Sequence, residues 1–279
     1  MYELISFDMD GTLLTPEKTI TPVTAEAVHR AALAGKTVVL CTGRSVAELT
    51  DYLGLLPDVR YAVCVSGGLI YDLKEKKKLY LGTMAPETVL AAMSLAEPED
   101  PMIQFLDTDI YLQEDKCRNA DAYYMGWCQK TYEEKGILVK DIRAFYRSAP
   151  FPVAKMNLYH RDTDARRRTR ARLEAAGLPV VIKDSEVTSL ELSSEHVNKG
   201  EGLRWLCGFL GIPLSRTIAA GDAANDLDVL MTAGLPAAMG NAWPEIKEAV
   251  LKKGGVIVPD NAHDGCADLI CRYLLDSCS

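Results

Sequence analysis

Two short segments concentrate acidic residues in a way that could do chemistry. Asp8 and Asp10 lie two apart in Phe7-Asp8-Met9-Asp10-Gly11-Thr12, and Asp222 and Asp226 lie four apart in Gly221-Asp222-Ala223-Ala224-Asn225-Asp226. Carboxylates gathered at one point repel one another unless protons or a cation intervene, and a hard divalent cation with oxygen ligands, Mg2+, is the economical answer. Such an ion commonly bridges carboxylates to a substrate phosphate. A Thr hydroxyl and the amides of a glycine-containing turn suit phosphoryl oxygens, and Lys199 offers a compact positive charge opposite the carboxylates. Asp8 is an available covalent nucleophile, and Asp10 could protonate a leaving oxygen and later deprotonate water. The residues alone leave open which of the two attacks.

These segments need elements to bring them together, and each follows a short apolar run of the kind that forms a buried strand. The run 4–7 ends at Asp8, 37–41 precedes Thr42-Gly43-Arg44, 61–65 precedes Ser66-Gly67-Gly68, and 217–220 precedes Gly221-Asp222. Helical patterns lie between them, at 22–35 with apolar residues at 25, 28, 32 and 33, and at 201–210 and 225–233. In an open parallel sheet the carboxyl ends of the strands face the ligand crevice, so four distant segments converge there.

Over 83–191 the texture changes, with a Pro and acid cluster at 97–101, a Tyr-rich stretch at 121–132 and a break at 149–152. Strands at 155–159 and 180–183 flank an Arg-rich helix at 162–176 whose less polar face is 165, 169, 173 and 176. Strands near 236–239 and 256–259 restore the first rhythm. The expected fold is therefore α/β, a Rossmann-like doubly wound, mainly parallel sheet over 1–82 and 192–279, interrupted by an α/β cap over 83–191.

Composition bounds the ligand. The 279 residues are 48% hydrophobic and 25% charged, the balance of a soluble globular protein of about two domains. With 31 Lys and Arg against 39 Asp and Glu the net charge is −8, so no global positive field holds a nucleic acid or an anionic membrane. The counter-charge for an anionic ligand must be local or a metal. The eight cysteines, at 41, 64, 117, 128, 207, 266, 271 and 278, form no C-x-x-C pair and are read as reduced, and the four histidines form no ligand cluster. The N-terminus lacks a signal-peptide pattern and no 18-residue apolar run follows, which points to the cytoplasm.

Together the motifs resemble the haloacid dehalogenase superfamily of phosphohydrolases, in its Cof-type branch, subfamily IIB, whose large cap is inserted after the third core strand. Phe7-Asp8-Met9-Asp10-Gly11-Thr12-Leu13-Leu14 matches the first motif, Thr42-Gly43-Arg44 the second, Lys199-Gly200 the third and Gly221-Asp222-Ala223-Ala224-Asn225-Asp226 the fourth. Met239-Gly240-Asn241-Ala242 and Asp264-Gly265 extend the match. The resemblance implies Asp8 as nucleophile and Mg2+ ligand, Asp10 as general acid/base whose backbone carbonyl also binds the metal, and Asp222 as the third protein ligand. It implies phosphate binding by Thr42, the Gly43 amide, Lys199 and Asn225, with Asp226 supporting the metal's waters or Lys199. Ser66 stands where the family usually has Asn, and Ala224 where an acidic residue is common.

The implied activity is a Mg2+-dependent phosphatase acting on a small phosphorylated metabolite, a sugar phosphate among the options, through an aspartyl-phosphate. Two alternatives stand beside it, a phosphosugar mutase of the same superfamily and a non-catalytic module that binds a phosphorylated ligand. An EF-hand reading of Asp8 to Thr12 lacks the later Glu, and a P-loop reading of Gly35-Lys36-Thr37 has Arg30 where the first Gly is needed. Arg44 is read as structural. The Arg166 to Arg172 series is read as a solvated face, and Tyr123, Tyr124, Trp127 and Tyr132 as packing.

Overall fold

Short runs of aliphatic residues with no polar alternation are stable as strands only when both faces are covered, and the central strands here are such runs. The computed structural model describes residues 1–275. In chain order it lays down β1 (Leu4–Phe7), β2 (Thr37–Cys41), β3 (Tyr61–Cys64), β4 (Leu69–Asp72), β5 (Lys77–Leu81), β6 (Met102–Leu106), β7 (Ile110–Gln113), β8 (Ile137–Val139), β9 (Lys155–Tyr159), β10 (Val180–Asp184), β11 (Ser189–Ser194), β12 (Thr217–Gly221), β13 (Leu235–Ala238) and β14 (Val256–Ile257). The chain divides into two units, one of residues 1–44, 49–80 and 197 onward, the other of residues 45–48 and 81–196.

The first unit carries an eight-stranded sheet in the order β14-β13-β12-β1-β2-β3-β4-β5. From β14 to β3 every pairing is parallel, and β4 returns antiparallel to β3. This is the α/β, doubly wound, mainly parallel core expected from the strand–helix alternation. Register matters most at the centre, where Phe7 sits opposite both Leu40 and Ala220. The carboxyl ends of β2, β1 and β12 therefore finish level, which brings the residues after them to one edge. The helix Pro22–Leu33 starts where Thr21 accepts from the Thr24 amide and Pro22 occupies the first turn, and it buries Ala27, Val28 and Ala31.

Two local details differ from the sequence pattern. The segment 225–233 is a 3-10 turn, Ala224–Asp226, followed by the helix Leu227–Thr232. β3 stops at Cys64 because Val65, Ser66 and Gly67 all adopt positive φ, 53°, 56° and 98°. Backbone bonds fasten this left-handed turn, since the Val65 amide donates to the Arg44 carbonyl at 2.9 Å and the Ser66 amide to the Thr42 carbonyl at 3.0 Å. Gly67 is required by space as well as by φ, because a Cβ there would fall 2.0 Å from the Asn198 carbonyl oxygen. At Ser66 the left-handed conformation is what Asn tolerates better than Ser, which gives a physical meaning to the Asn usual at this motif position.

The second unit is a six-stranded sheet in the order β10-β11-β9-β6-β7-β8, antiparallel except for β7 with β8. Alternation sorts its faces: Met156 and Leu158 join Ile103, Phe105, Leu190 and Leu192 in a cluster with Val89, Met93 and Leu173 of the helices Pro86–Ala96 and Thr163–Ala176. On the latter helix Ala165, Thr169 and Leu173 are buried as their spacing predicts, whereas Ala176 is exposed in the last turn. Its arginines pair within the unit, Arg168 and Arg172 with Glu99 and Arg166 and Arg170 with Asp184. The Tyr-rich stretch is broken into 3-10 turns, so Tyr123 and Tyr132 are buried while Tyr124 and Trp127 are exposed.

The second unit runs five residues further than the expected boundary at 191. β11 continues to Ser194, and Leu192 packs in the cluster above, so residues 192–196 belong to the inserted unit rather than to the core. Residues 81 and 82 also group with it. Among the described residues no helix is long and apolar enough to cross a membrane. Cys41, Cys117, Cys207 and Cys266 are buried thiols, and Cys278 lies outside the described residues.

Backbone strain at the β3 turn sets a stability prediction. Ser66→Asn should raise stability by up to about 1 kcal/mol in urea denaturation, and Gly67→Ala should lower it by at least about 2 kcal/mol. A loss of stability in Ser66→Asn would refute the strain assignment.

Candidate active site

The site is built on the carboxyl ends of β1, β2 and β12. Asp8 follows β1 directly, and its amide donates to the Ala220 carbonyl at 3.1 Å, which ties it to β12. The chain then turns back on itself, the Leu13 amide reaching the Asp8 carbonyl at 3.2 Å and the Leu14 amide the Met9 carbonyl at 2.8 Å. Gly11 makes the turn possible: its φ is +81°, and a Cβ there would lie 2.4 Å from an Asp222 carboxylate oxygen. Thr12 emerges from it with its hydroxyl donating to Asp222 Oδ1 at 2.9 Å. The Thr12 side chain thus aims a carboxylate.

Lys199 is the first residue of the helix Lys199–Leu210, whose N-cap is Asn198, with its side chain accepting from the Glu201 amide. Its Nζ donates to Asp8 Oδ1 at 2.5 Å and to Asp226 Oδ1 at 2.7 Å. Lys199 is 1% exposed, Asp226 0% and Asp8 6%, so this is a dry ion triad in which the low dielectric strengthens both attraction and desolvation. The other Asp226 oxygen accepts from the amides of Asp222 at 3.0 Å and Ala223 at 3.1 Å. Asp226 therefore neutralises Lys199 and fixes the loop that presents Asp222.

Oxygens of Asp8, Asp222 and Asp226 lie within 4.8 Å of one another. Burial pushes Asp8 up to about 7, against the pull of Lys199 and with the neighbouring Asp226 charge adding to the rise. Burial, followed by the charge of Asp226, pushes Asp222 up to about 6. Lys199 is held firmly protonated, because Asp8 and Asp226 outweigh its own burial. A hard dication suits this donor set, since it would relieve exactly two crowded carboxylates, Asp8 and Asp222, while both Asp226 oxygens are already engaged.

The Asp10 side chain is not part of this trio. Burial raises its pKa, but Arg44 and Lys18 more than reverse that and bring it down to about 2. Arg44 donates through Nε to Oδ2 and through Nη2 to Oδ1, both at 2.7 Å, and Lys18 Nζ reaches Oδ1 at 2.8 Å. Neither cation is legible as a site residue in the sequence, where Arg44 reads as structural. The one signal is that Arg44 directly follows Thr42-Gly43 at a strand's carboxyl end. Thr42 is buried, with its hydroxyl accepting from the Arg44 amide at 3.2 Å, and Gly43 shares that turn. Asn225 and Ala224 are exposed in the turn that carries Asp226.

Comparison with known proteins gives a family and a fold. Residues 5–270 match the model of the haloacid dehalogenase-like hydrolases. The chain is 30% identical over 250 residues to an HMP-PP phosphatase of Klebsiella pneumoniae, covering 88% of this chain and 87% of the relative. It is 26% identical over 276 residues to the pyridoxal phosphate phosphatase YbhA of Escherichia coli, with 98% of each covered. A solved haloacid dehalogenase-like hydrolase from Bacteroides thetaiotaomicron superposes with a TM-score of 0.83 at 26% identity, covering 98% of this chain and 99% of that one.

Two measurements test the electrostatics. Lys199→Met leaves two buried carboxylates without their cation and should cost about 3–5 kcal/mol, part of which Asp226→Asn restores in the double variant. The second concerns pH. Asp8 and Asp222 titrate above their ordinary value of 3.8, so they favour the fold below that value and the contribution is lost as pH rises through about 6 to 7. Asp10 has the opposite sign and is constant above pH 5, because its loss falls between 3.8 and about 2. Added Mg2+ should therefore raise the melting temperature more at pH 8 than at pH 5, and an equal rise at both would count against Asp8 and Asp222 as its ligands.

Proposed function

We propose, from the premise that this chain belongs to the haloacid dehalogenase-like hydrolase family and is a phosphoric monoester hydrolase, that it is a Mg2+-dependent phosphatase working through an aspartyl-phosphate on Asp8. Its substrate is a small phosphorylated metabolite, with sugar phosphates the class to try first. The observation that supports this most directly is the buried Lys199, held between Asp8 and Asp226 beside Asp222. A nucleophilic carboxylate is thereby kept dry, oriented and charge-balanced before substrate arrives.

In the first half-reaction an Asp8 oxygen attacks phosphorus in line, the bond from phosphorus to the ester oxygen breaks, and Asp10, which must first leave Arg44 and Lys18 and take up a proton from water, gives that oxygen a proton. In the second, Asp10 takes a proton from water, the water oxygen bonds to phosphorus, and the Asp8–phosphorus bond breaks to release phosphate and the Asp8 carboxylate. Lys199 keeps Asp8 turned toward phosphorus and offsets its charge. Thr42 and the Gly43 amide, at the end of β2, seat the phosphoryl oxygens, and Asn225 stands at the rim. When bound, Mg2+ would be held by Asp8, Asp222 and the Asp10 carbonyl and would neutralise charge on the phosphoryl oxygens.

The test is phosphate release from a panel of sugar phosphates, nucleotides, pyridoxal phosphate and HMP-PP, the last two being the esters for which the relatives are named. Wild type should release phosphate from at least one ester with Mg2+ and lose most of that activity with EDTA. Asp8→Asn should be inactive, and Asp10→Asn slower by about 10²–10⁴-fold. No release from any ester by wild type would sink the phosphatase reading, and full activity in Asp8→Asn would sink its nucleophile.

A further inference from the structure

We propose that Asn241 is a positioning residue for the Mg2+ site, pinning the turn after Asp10 so that ligands offered by two separate loops keep the spacing a small cation requires. The proposal rests on the metal set of the phosphatase reading above. Asp8 and Asp10 belong to the loop after β1, and Asp222 to the loop after β12. Their separation is therefore a property of how the two loops are tied together, and a ligand's hydrogen-bonded surroundings govern metal affinity nearly as much as the ligand does. One tie lies inside the site, from the Thr12 hydroxyl to Asp222 Oδ1. A second comes from outside it.

The turn that follows β13 reaches both loops. Asn241 Nδ2 donates to the Gly11 carbonyl at 2.7 Å, and two residues on the Trp243 amide donates to the Asp222 carbonyl at 3.0 Å. This turn is itself anchored. The Met239 amide bonds the Gly221 carbonyl at 3.2 Å, the Ala242 amide closes onto the Met239 carbonyl at 2.9 Å, and Lys247 Nζ of the helix Pro244–Lys252 holds the Gly240 carbonyl at 2.5 Å. The Asn261 amide occupies Asn241 Oδ1 at 3.2 Å, which turns the Nδ2 of Asn241 toward Gly11. Gly11 is where such a grip matters, because without a Cβ and at φ +81° the peptides on either side of it rotate with little steric restraint. The peptide entering Gly11 carries the Asp10 carbonyl. Asn241 grips the peptide leaving it, whose other end, the Thr12 amide, bonds the Met9 carbonyl at 3.3 Å.

A hydrogen bond that only stabilised the fold would weaken the binding of every cation alike, whereas a spacing role depends on ion size. Mg2+ demands near-ideal octahedral geometry at short distances, while Ca2+ accepts longer and more variable ones. Loosening the tie between the loops should therefore cost Mg2+ more than Ca2+. The experiment is calorimetric titration of the full chain, without substrate, with each ion in turn. It compares wild type, Asn241→Ala, Asn241→Leu and Thr21→Val. Thr21 is the N-cap of the helix Pro22–Leu33, so its replacement loosens the same unit while leaving the Asn241 and Trp243 bonds in place. Asn241 is exposed, so removing its side chain should leave the fold intact.

Both Asn241 variants should raise the Kd for Mg2+ about tenfold or more, and that for Ca2+ by no more than about threefold. Thr21→Val should lower the melting temperature and leave both constants as in wild type. An unchanged Mg2+ constant in the Asn241 variants, equal losses for the two ions, or the same selective loss in Thr21→Val would each overturn the positioning role and leave the phosphatase reading intact. Wild type that binds no Mg2+ would overturn the metal site and the role of Asn241 together, an outcome that phosphate release from the ester panel reports independently. Melting temperatures identify a misfolded variant, and the two replacements at Asn241 differ in size, so the one that folds carries the test.

Discussion

A lysine ammonium sealed from water between two carboxylates is the constraint from which the rest of the site follows. In the low dielectric of the interior neither a bare Lys199 nor a bare Asp8 is tolerable, so the three groups must arrive together and in register. Asp8 comes from the end of β1, Asp226 from the turn after β12, and Lys199 from the first position of a helix that begins behind them. Once Asp226 has taken the lysine, its second oxygen is left to organise the amides of Asp222 and Ala223, and Asp222 is aimed as a result. Thr12 completes the alignment from the opposite side. Charge compensation at one point thus propagates into the geometry of every carboxylate around it.

The turn that carries Asp10 is secured by segments far along the chain. Asn241 donates to the Gly11 carbonyl and Asn261 to the Leu14 carbonyl, each at 2.7 Å, and the Asn261 amide bonds Asn241 in turn at 3.2 Å. Asp264, at φ 56°, accepts from the Thr21 hydroxyl at the head of the first helix. The motifs at Met239 to Ala242 and Asp264-Gly265 have no titratable group in the trio, and these bonds supply their purpose. Asn241 and Asn261 satisfy backbone carbonyls of the tight turn and so keep it in one shape, while Asp264 ties down the head of the first helix.

Much of this was legible in the sequence because burial leaves a mark on composition. Continuous apolar runs ending in Asp8, Thr42 and Gly221-Asp222 identify parallel strands, and the strand order then forces their ends together. Lys199 shows where that legibility ends, since a lone lysine before a glycine carries no sign that it is buried, and only the ordered set of motifs singled it out. The Arg44 fork is further out of reach. Asp10 and Arg44 are 34 residues apart, and their meeting depends on the shapes of two turns, neither of which has a periodic pattern. The left-handed run at Val65 to Gly67 is similarly silent, because a β-branched residue at positive φ contradicts local preference and persists only where neighbouring strands impose it. In the inserted unit the strand and helix periodicities were readable, whereas in the Tyr-rich stretch the packing reading holds for Tyr123 and Tyr132 and fails for Tyr124 and Trp127, because 3-10 turns replace a single helix there.

β1 is bordered by β2 on one side and by β12 on the other, and the two borders are made by residues about 30 and 210 positions away. On a ribosome, therefore, one edge of the most central strand stays unpaired while the whole inserted unit is synthesised. Through that interval the aliphatic backbone of β1 is an open template, and Asp8 has no Lys199 to balance it. The inserted unit, whose own sheet closes without help from residues after 196, can fold during the wait. The carboxylate cluster is complete only when the chain's later third returns to fill the gap, so an interrupted translation product holds Asp8 yet lacks the Lys199, Asp222 and Asp226 that surround it.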